Sequence, residues 1–170
     1  MDDQSKILII SDVHGNAEAL RAVMNAEDDA DHVVFLGDAF LSGPQPIETA
    51  ELLEKLDADV SIMGNHDKEV LDTSLFAHWP EGWIAFNEWI IGSLGKDVVD
   101  RVRAFKPAGE YRVGGISMYL HHGELEKEMP SPLPDSPTES FLAMGSENGE
   151  NLILKMRPTQ NCSMAYVRWG

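Results

Sequence analysis

An aspartate and a histidine two residues apart, in Ile10-Ser11-Asp12-Val13-His14-Gly15-Asn16, close an apolar run and stand just before a helical pattern. A carboxylate and an imidazole at that spacing are divalent-metal ligands by type. In an extended segment side chains alternate faces, so Asp12 and His14 are expected to point the same way, at the carboxyl end of a first strand where open α/β sheets hold their ligands. A single Asp-x-His is a weak signal that arises by chance. Two further stretches strengthen it, Leu36-Gly37-Asp38 and Met63-Gly64-Asn65-His66-Asp67, each also ending a short apolar run, and a later strand-like run leads into His121-His122-Gly123.

The elements that must position these residues are legible in order. Lys6 to Ile10 reads as a buried strand, apolar and rich in β-branched residues after its lysine. Ala17, Leu20, Val23 and Met24 then fall at helical intervals, with Asn16 able to cap the start. His32 to Leu36 reads as a second strand, Pro46 opens a helix running to about Leu56, and Val60 to Met63 reads as a third strand. The order β-α-β-α-β predicts a parallel sheet whose successive strand ends bring Asp12/His14, Asp38 and Asn65/His66 to one edge. Lys68 to Lys106, with Trp79, Trp83 and Trp89, reads as a mainly helical insertion whose tryptophans bury area as core or lid packing. Glu110–Val113 and Ile116–Leu120 flank the turn pair Gly114-Gly115 and form a hairpin. Four prolines between Met129 and Pro137 make a stiff loop, Ser136-Pro137-Thr138-Glu139 carries helix-start spacing with Gly145 placed to end that helix, and Asn151–Lys155 reads as one more strand.

Composition sets the limits. With 170 residues and 43% hydrophobic content, the chain suits one domain with a core. Twenty-nine acidic against 13 basic residues give a net charge of −16, which repels nucleic acid and anionic membranes, so neither is an expected partner. The single cysteine, Cys162, excludes an intrachain disulfide and agrees with a reducing cytoplasm; the acidic N-terminus does not resemble a secretory signal, and no run reaches membrane-spanning length. A cytoplasmic location is expected.

Taken together, Ser-Asp-x-His-Gly-Asn at 11–16, Gly-Asp at 37–38 with Gly-Pro-x-Pro at 43–46, Gly-Asn-His-Asp at 64–67 and His-Gly at 122–123 resemble, in order and spacing, the calcineurin-like metallophosphoesterases, and within them the small prokaryotic phosphodiesterases. The resemblance covers about residues 6–155. It implies an α/β/β/α sandwich and hydrolysis of a phosphoester, a diester by preference, by a hydroxide shared between two divalent metal ions (Mn, Fe, Zn, Co or Ni). By that resemblance Asp12, His14 and Asp38 hold one ion, while Asp38, Asn65 and His122 hold the other. His66 faces the substrate as general acid and charge stabiliser, oriented by Asp67. His121 is expected on the opposite face from His122, as a packing or supporting residue, and His32 and His78 fit no motif.

One motif of the resemblance is absent. The family's Gly-His-x-His should follow the strand at 151–155 and give each ion a histidine, but Met156-Arg157-Pro158-Thr159-Gln160 stands there and no histidine follows His122. Each ion then keeps three protein ligands, which weakens binding and leaves a position open to water or substrate. Residues 156–170 read as an atypical tail and leave the second sheet unfinished, so a truncated or shifted reading frame is one expectation and a homodimer covering the edge is another. Two alternatives to the hydrolase follow: an inactive member acting as a protein-binding scaffold, favoured by the missing motif, and a nuclease, disfavoured by the acidic surface. Retention of His66 and Asp67, which a scaffold does not need, favours the enzyme.

Overall fold

The computed structural model describes residues 5–122 in full and the backbone of 152–153 and 163–169. The proline-rich loop at 129–137, the helix expected from Ser136 and the segment at 156–160 lie outside the described residues. The first sheet is built on β1 (Ser5–Ser11), with β2 (His32–Phe35) parallel beside it and β3 (Val60–Ser61) parallel beyond that. Between them come helices α1 (Ala17–Ala26) and α2 (Pro46–Leu56), so the β-α-β-α-β start is as its periodicity predicts. Asn16 Oδ1 accepts from the Ala19 N–H at 3.0 Å and so starts α1, while Pro46, lacking a donor, costs nothing at the first position of α2.

The sequence does not mark the fourth strand. Residues Ser163–Trp169 form β7, antiparallel to β1 along all seven of its residues, from Ser5 opposite Trp169 to Ser11 opposite Ser163. The sheet order is therefore β3-β2-β1-β7. Part of the atypical tail thus closes one flank of the first sheet. The second sheet is small: β4 (Gly109–Val113) and β5 (Ile116–Leu120) form the expected hairpin through Gly114 and Gly115, both at positive φ, and β6 (Leu152–Ile153) adds a parallel strand.

Alternation along β1 explains the layering. Leu8 and Ile10 face one core with Phe35, Leu20, Leu52, Ile90 and Val102, which is the helical side. Ile7 and Ile9 face the other, with Val34, Leu36, Ile62, Val113, Met118 and Leu120, and this core joins the two sheets. A strand buried on both faces can be apolar on both, as the central residues Ile7 to Ile10 of β1 are. The insertion is helical as expected, with α3 (Asn65–Leu71), a 3₁₀ turn at Thr73–Phe76, α4 (Glu81–Ser93) and α5 (Lys96–Arg103). No helix among the described residues is long and apolar enough to cross a membrane.

Candidate metal centre

β1 ends at Ser11, and the residues after it are not extended. Asp12 has φ 57° and His14 φ 47°, and Asp38, after β2, has φ 60°, all in the left-handed region. Strand alternation therefore does not bring Asp12 and His14 together, as the spacing suggests; two turns do. The turns are tied to each other by the backbone: Asp12 N–H donates to Gly37 O, and His14 N–H to Asp38 O, each at 3.0 Å. Left-handed backbone at a residue with a side chain costs on the order of 1–3 kcal/mol and persists where surrounding contacts over-determine it, often at functional sites. Gly64 permits the third approach, since a Cβ there would overlap the Asp38 carboxylate, and any larger residue would push α3 away from the cluster.

Asp38 is the meeting point. Its Oδ2 lies 3.1 Å from His122 Nε2 and 3.8 Å from His14 Nε2, and its Oδ1 accepts the His66 backbone N–H at 2.9 Å. Asn65 Oδ1 is 3.1 Å from His122 Nε2, and Asp12 Oδ1 is 3.7 Å from His14 Nε2. Two groups of ligand atoms result, each gathered within 4.8 Å: His14, Asp38 and His66, and Asp12, Asp38 and His122. Asp38 is common to both, as the resemblance implies, but its partners differ from those expected: Asp12 groups with His122 instead of His14, and the imidazole of His66 joins that of His14. An ion about 2.0–2.2 Å from each ligand holds its ligand atoms a little over 3 Å apart, a separation that His122 Nε2 and Asp38 Oδ2 already have at 3.1 Å.

The donor set fits divalent ions on a second count. Asp12 is 1% exposed, and neither carboxylate oxygen has a hydrogen-bond partner among the described residues. A buried carboxylate without donors is costly unless a cation meets it. The three imidazoles are held alike, each anchored through Nδ1: His14 to Leu41 O at 2.9 Å, His122 to Leu36 O at 2.6 Å, and His66 to Glu69 Oε2 at 2.6 Å. Anchoring one ring nitrogen fixes the other toward the cluster, which is how ligating histidines are usually supported.

Without metal, protons stand in for cations. Desolvation pulls the His122 imidazole down, but the Asp38 hydrogen bond and the Asp38 and Asp12 charges outweigh it and push it up to about 9. The geometry agrees, since both His122 nitrogens face oxygen acceptors and only the doubly protonated ring can donate to both. His14 is also raised, with desolvation outweighed by Asp12, the Leu41 carbonyl and Asp38. Asp38 moves below the usual carboxylate range, because the three histidines overcome its own desolvation. A raised folded-state value stabilises the metal-free fold fully below about pH 6.5 and is lost as pH rises through about 9. In EDTA the melting temperature should therefore fall between pH 7 and 10, by an amount set by an interaction on the order of 3 kcal/mol. His122→Gln should flatten that slope, and a flat profile in the unsubstituted chain would contradict the pairing.

Asp67 does not reach the His66 ring as its motif suggests. Its carboxylate accepts three backbone N–H groups, from Asp38 at 2.8 Å, Ala39 at 3.0 Å and Gly64 at 2.9 Å. Burial and the neighbouring Asp38 charge push this carboxyl up, against the three N–H bonds that favour its ionised form. Glu69, which sequence reasoning passes over, takes the ring instead, although its i,i+3 spacing from His66 on α3 is a readable signal. His121 is buried, its ring tilted against Tyr119 at 6.1 Å, and His32 lies 3.3 Å from Asp59 at the surface. Of the tryptophans, Trp79 meets the His66 ring edge to face at 5.9 Å, while Trp83 and Trp89 are 41% and 54% exposed. Core packing therefore describes Trp79 better than the other two.

A protein of Methanocaldococcus jannaschii, the uncharacterized protein MJ0912, is 41% identical over 70 residues, which are 40% of this chain and 28% of that protein. A metallophosphoesterase from Sphaerobacter thermophilus is 28% identical with a TM-score of 0.54, covering 71% of this chain and 47% of its own. The hypothetical protein PH1004 of Pyrococcus horikoshii shares the fold at a TM-score of 0.71 and 17% identity, over 82% of this chain and 64% of its own. The chain thus spans less than a third of the curated relative and about half of the Sphaerobacter protein. The profile of the calcineurin-like phosphoesterases matches residues 5–159, nearly the whole sequence, and the chain belongs to that family.

Proposed function

We propose that the chain is a divalent-metal-dependent phosphoesterase acting on small phosphodiesters. The observation that carries this reading is the pair of ligand groups sharing Asp38, beside an Asp12 carboxylate buried without donors. Asp12, His14, Asp38, Asn65 and His122 would hold two divalent ions, whose chemistry when bound is to activate water and neutralise phosphoryl oxygens. The chain's own residues do the rest. His66, beside His14 at a ring separation of 5.2 Å, faces the phosphoryl group, stabilises its charge and protonates the leaving oxygen. Leu36 and Leu41 hold His122 and His14 in register through their carbonyls. The net charge of −16 argues against nucleic acid as the ester, and with a lone cysteine it suits a cytoplasmic setting.

A test uses the whole chain with added Mn²⁺ and bis(p-nitrophenyl) phosphate, beside p-nitrophenyl phosphate as the monoester. Turnover of the diester that EDTA abolishes is the expected result, with a melting temperature raised by Mn²⁺; saturation at 100 times Kd adds about 2.7 kcal/mol. A second reading, a scaffold that has lost catalysis, draws on the absence of any histidine after His122. It predicts the metal-induced rise in melting temperature without turnover of either ester.

A further inference from the structure

Glu69 lies on the same face of α3 as His66, one turn on, and is itself only 8% exposed. Its Oε2 stands 2.6 Å from His66 Nδ1. A carboxylate buried to that degree needs a donor, and the imidazole is one. Of the three anchored imidazoles, His14 and His122 rest on backbone carbonyls, and His66 alone rests on a side chain. The other carboxylate beside it, Asp67, is committed to the backbone N–H groups of Asp38, Ala39 and Gly64. We infer that Glu69 is the positioning residue for His66: it holds the proton on Nδ1, fixes the ring plane, and leaves Nε2 as the nitrogen that meets the substrate. This rests on the phosphoesterase reading and assigns to Glu69 the role that the Gly-Asn-His-Asp motif suggests for Asp67.

The consequence for the reaction is specific. As the P–O bond to the leaving group breaks, its electron pair goes to the leaving oxygen, which takes the proton from Nε2. The proton released by the attacking water restores the ring. Throughout, the Nδ1 proton stays on the Glu69 side, so the carboxylate orients the ring and offsets its charge without exchanging a proton. Trp79, edge-on to His66 at 5.9 Å, closes the ring's remaining freedom but offers it no acceptor among the contacts described. Losing Glu69 frees the imidazole to turn about χ2 and present either nitrogen. A leaving group that departs unaided tolerates this, whereas one that needs the proton does not.

The experiment uses the full chain and its Glu69→Ala and Glu69→Gln variants, each checked for a native-like circular dichroism spectrum and melting curve. Initial rates with Mn²⁺ are measured on two diesters, bis(p-nitrophenyl) phosphate and the poorer substrate diphenyl phosphate. Glu69→Ala should lower kcat on the phenyl ester by about 10–100-fold with KM nearly unchanged. On the nitrophenyl ester the loss should stay below about fivefold, because the leaving group needs little protonation. Glu69→Gln, which keeps a carbonyl acceptor, should recover most of the phenyl-ester rate. Independently of turnover, imidazole ¹⁵N spectra of the metal-free protein, assigned with His66→Asn, should show a His66 Nδ1 proton that vanishes in Glu69→Ala and persists in Glu69→Gln. The inference is overturned if the signal and both rates are unaffected by Glu69→Ala, or if both esters lose rate equally with a raised KM. If the unsubstituted chain turns over neither ester while the Nδ1 signal still depends on Glu69, the phosphoesterase reading falls and the positioning of His66 stands.

Discussion

Asp38→Asn should abolish metal-dependent hydrolysis while leaving the fold standing. The carboxylate belongs to both groups of candidate ligand atoms, so one substitution would disable both of the proposed ion sites. Asparagine preserves its volume and still offers Oδ1 to the His66 N–H, 2.9 Å away, so the contact that docks α3 survives. The second oxygen becomes an amide whose hydrogens point at His122 Nε2 and toward His14 Nε2, where the acid stands 3.1 and 3.8 Å away. Cation and donor then compete for the same place. Supporting residues around metal sites already cost about 10–100-fold when removed, so a shared ligand should cost more than about 100-fold in rate. The stability cost in EDTA is smaller than removal of a buried ion-pair partner usually brings, because His122 holds its proton less tightly once the Asp38 carboxylate is gone. Titration calorimetry with Mn²⁺ and initial rates check this together: undiminished Mn²⁺ affinity with turnover would show that Asp38 is not the shared ligand.

The part of this site that sequence makes legible is the part that local periodicity controls. β1, α1, β2, α2 and β3 follow from apolar runs and helical spacing, and their order delivers Asp12, Asp38 and Asn65 to one edge. What lies beyond local pattern is how the side chains converge. Asp12 and His14 turn inward through left-handed backbone that their spacing does not announce, since it is an uncommon conformation for any residue with a side chain and here depends on backbone bonds to the next strand's loop. The anchors of His14 and His122 are carbonyls, which every residue has, so no residue type marks Leu41 or Leu36 for the task. β7 is invisible for a different reason: Ser163–Trp169 pairs with β1 across more than 150 positions, and its register is set by the partner. Glu69 and Asp67 were readable in principle, one from its i,i+3 spacing and the other from standing three residues after Gly64 at a helix start. The family motif directs attention to Asp67 as the partner of His66, and the structure exchanges the two acids.

That exchange makes Asp67→Ala a large expected loss of stability, the largest among the residues of this cluster. Three backbone N–H groups, of Asp38, Ala39 and Gly64, converge on this one fully buried carboxylate at 2.8 to 3.0 Å. Removing it leaves three donors without an acceptor in a place from which water is excluded, at about 1–3 kcal/mol each. Relief of the repulsion between Asp67 and Asp38 opposes this, and it is the weaker effect, because the histidines around Asp38 already offset its charge. A net loss of about 3 kcal/mol or more is a large share of the 5–15 kcal/mol that holds an ordinary domain together. For a chain of this length it corresponds to a fall in melting temperature of roughly 10 °C. Asp67→Asn keeps one acceptor oxygen and turns an amide toward the remaining N–H groups, so it should fall between the two. The same measurement separates the two roles that the motif allows. If Asp67 oriented His66, Asp67→Asn would keep the melting temperature and lose kcat on esters with poor leaving groups; as the acid that ties the Asp38 turn to the start of α3, it should lose melting temperature first. Activity should then fall only as the turn carrying Asp38 loosens, with Mn²⁺ affinity declining in parallel.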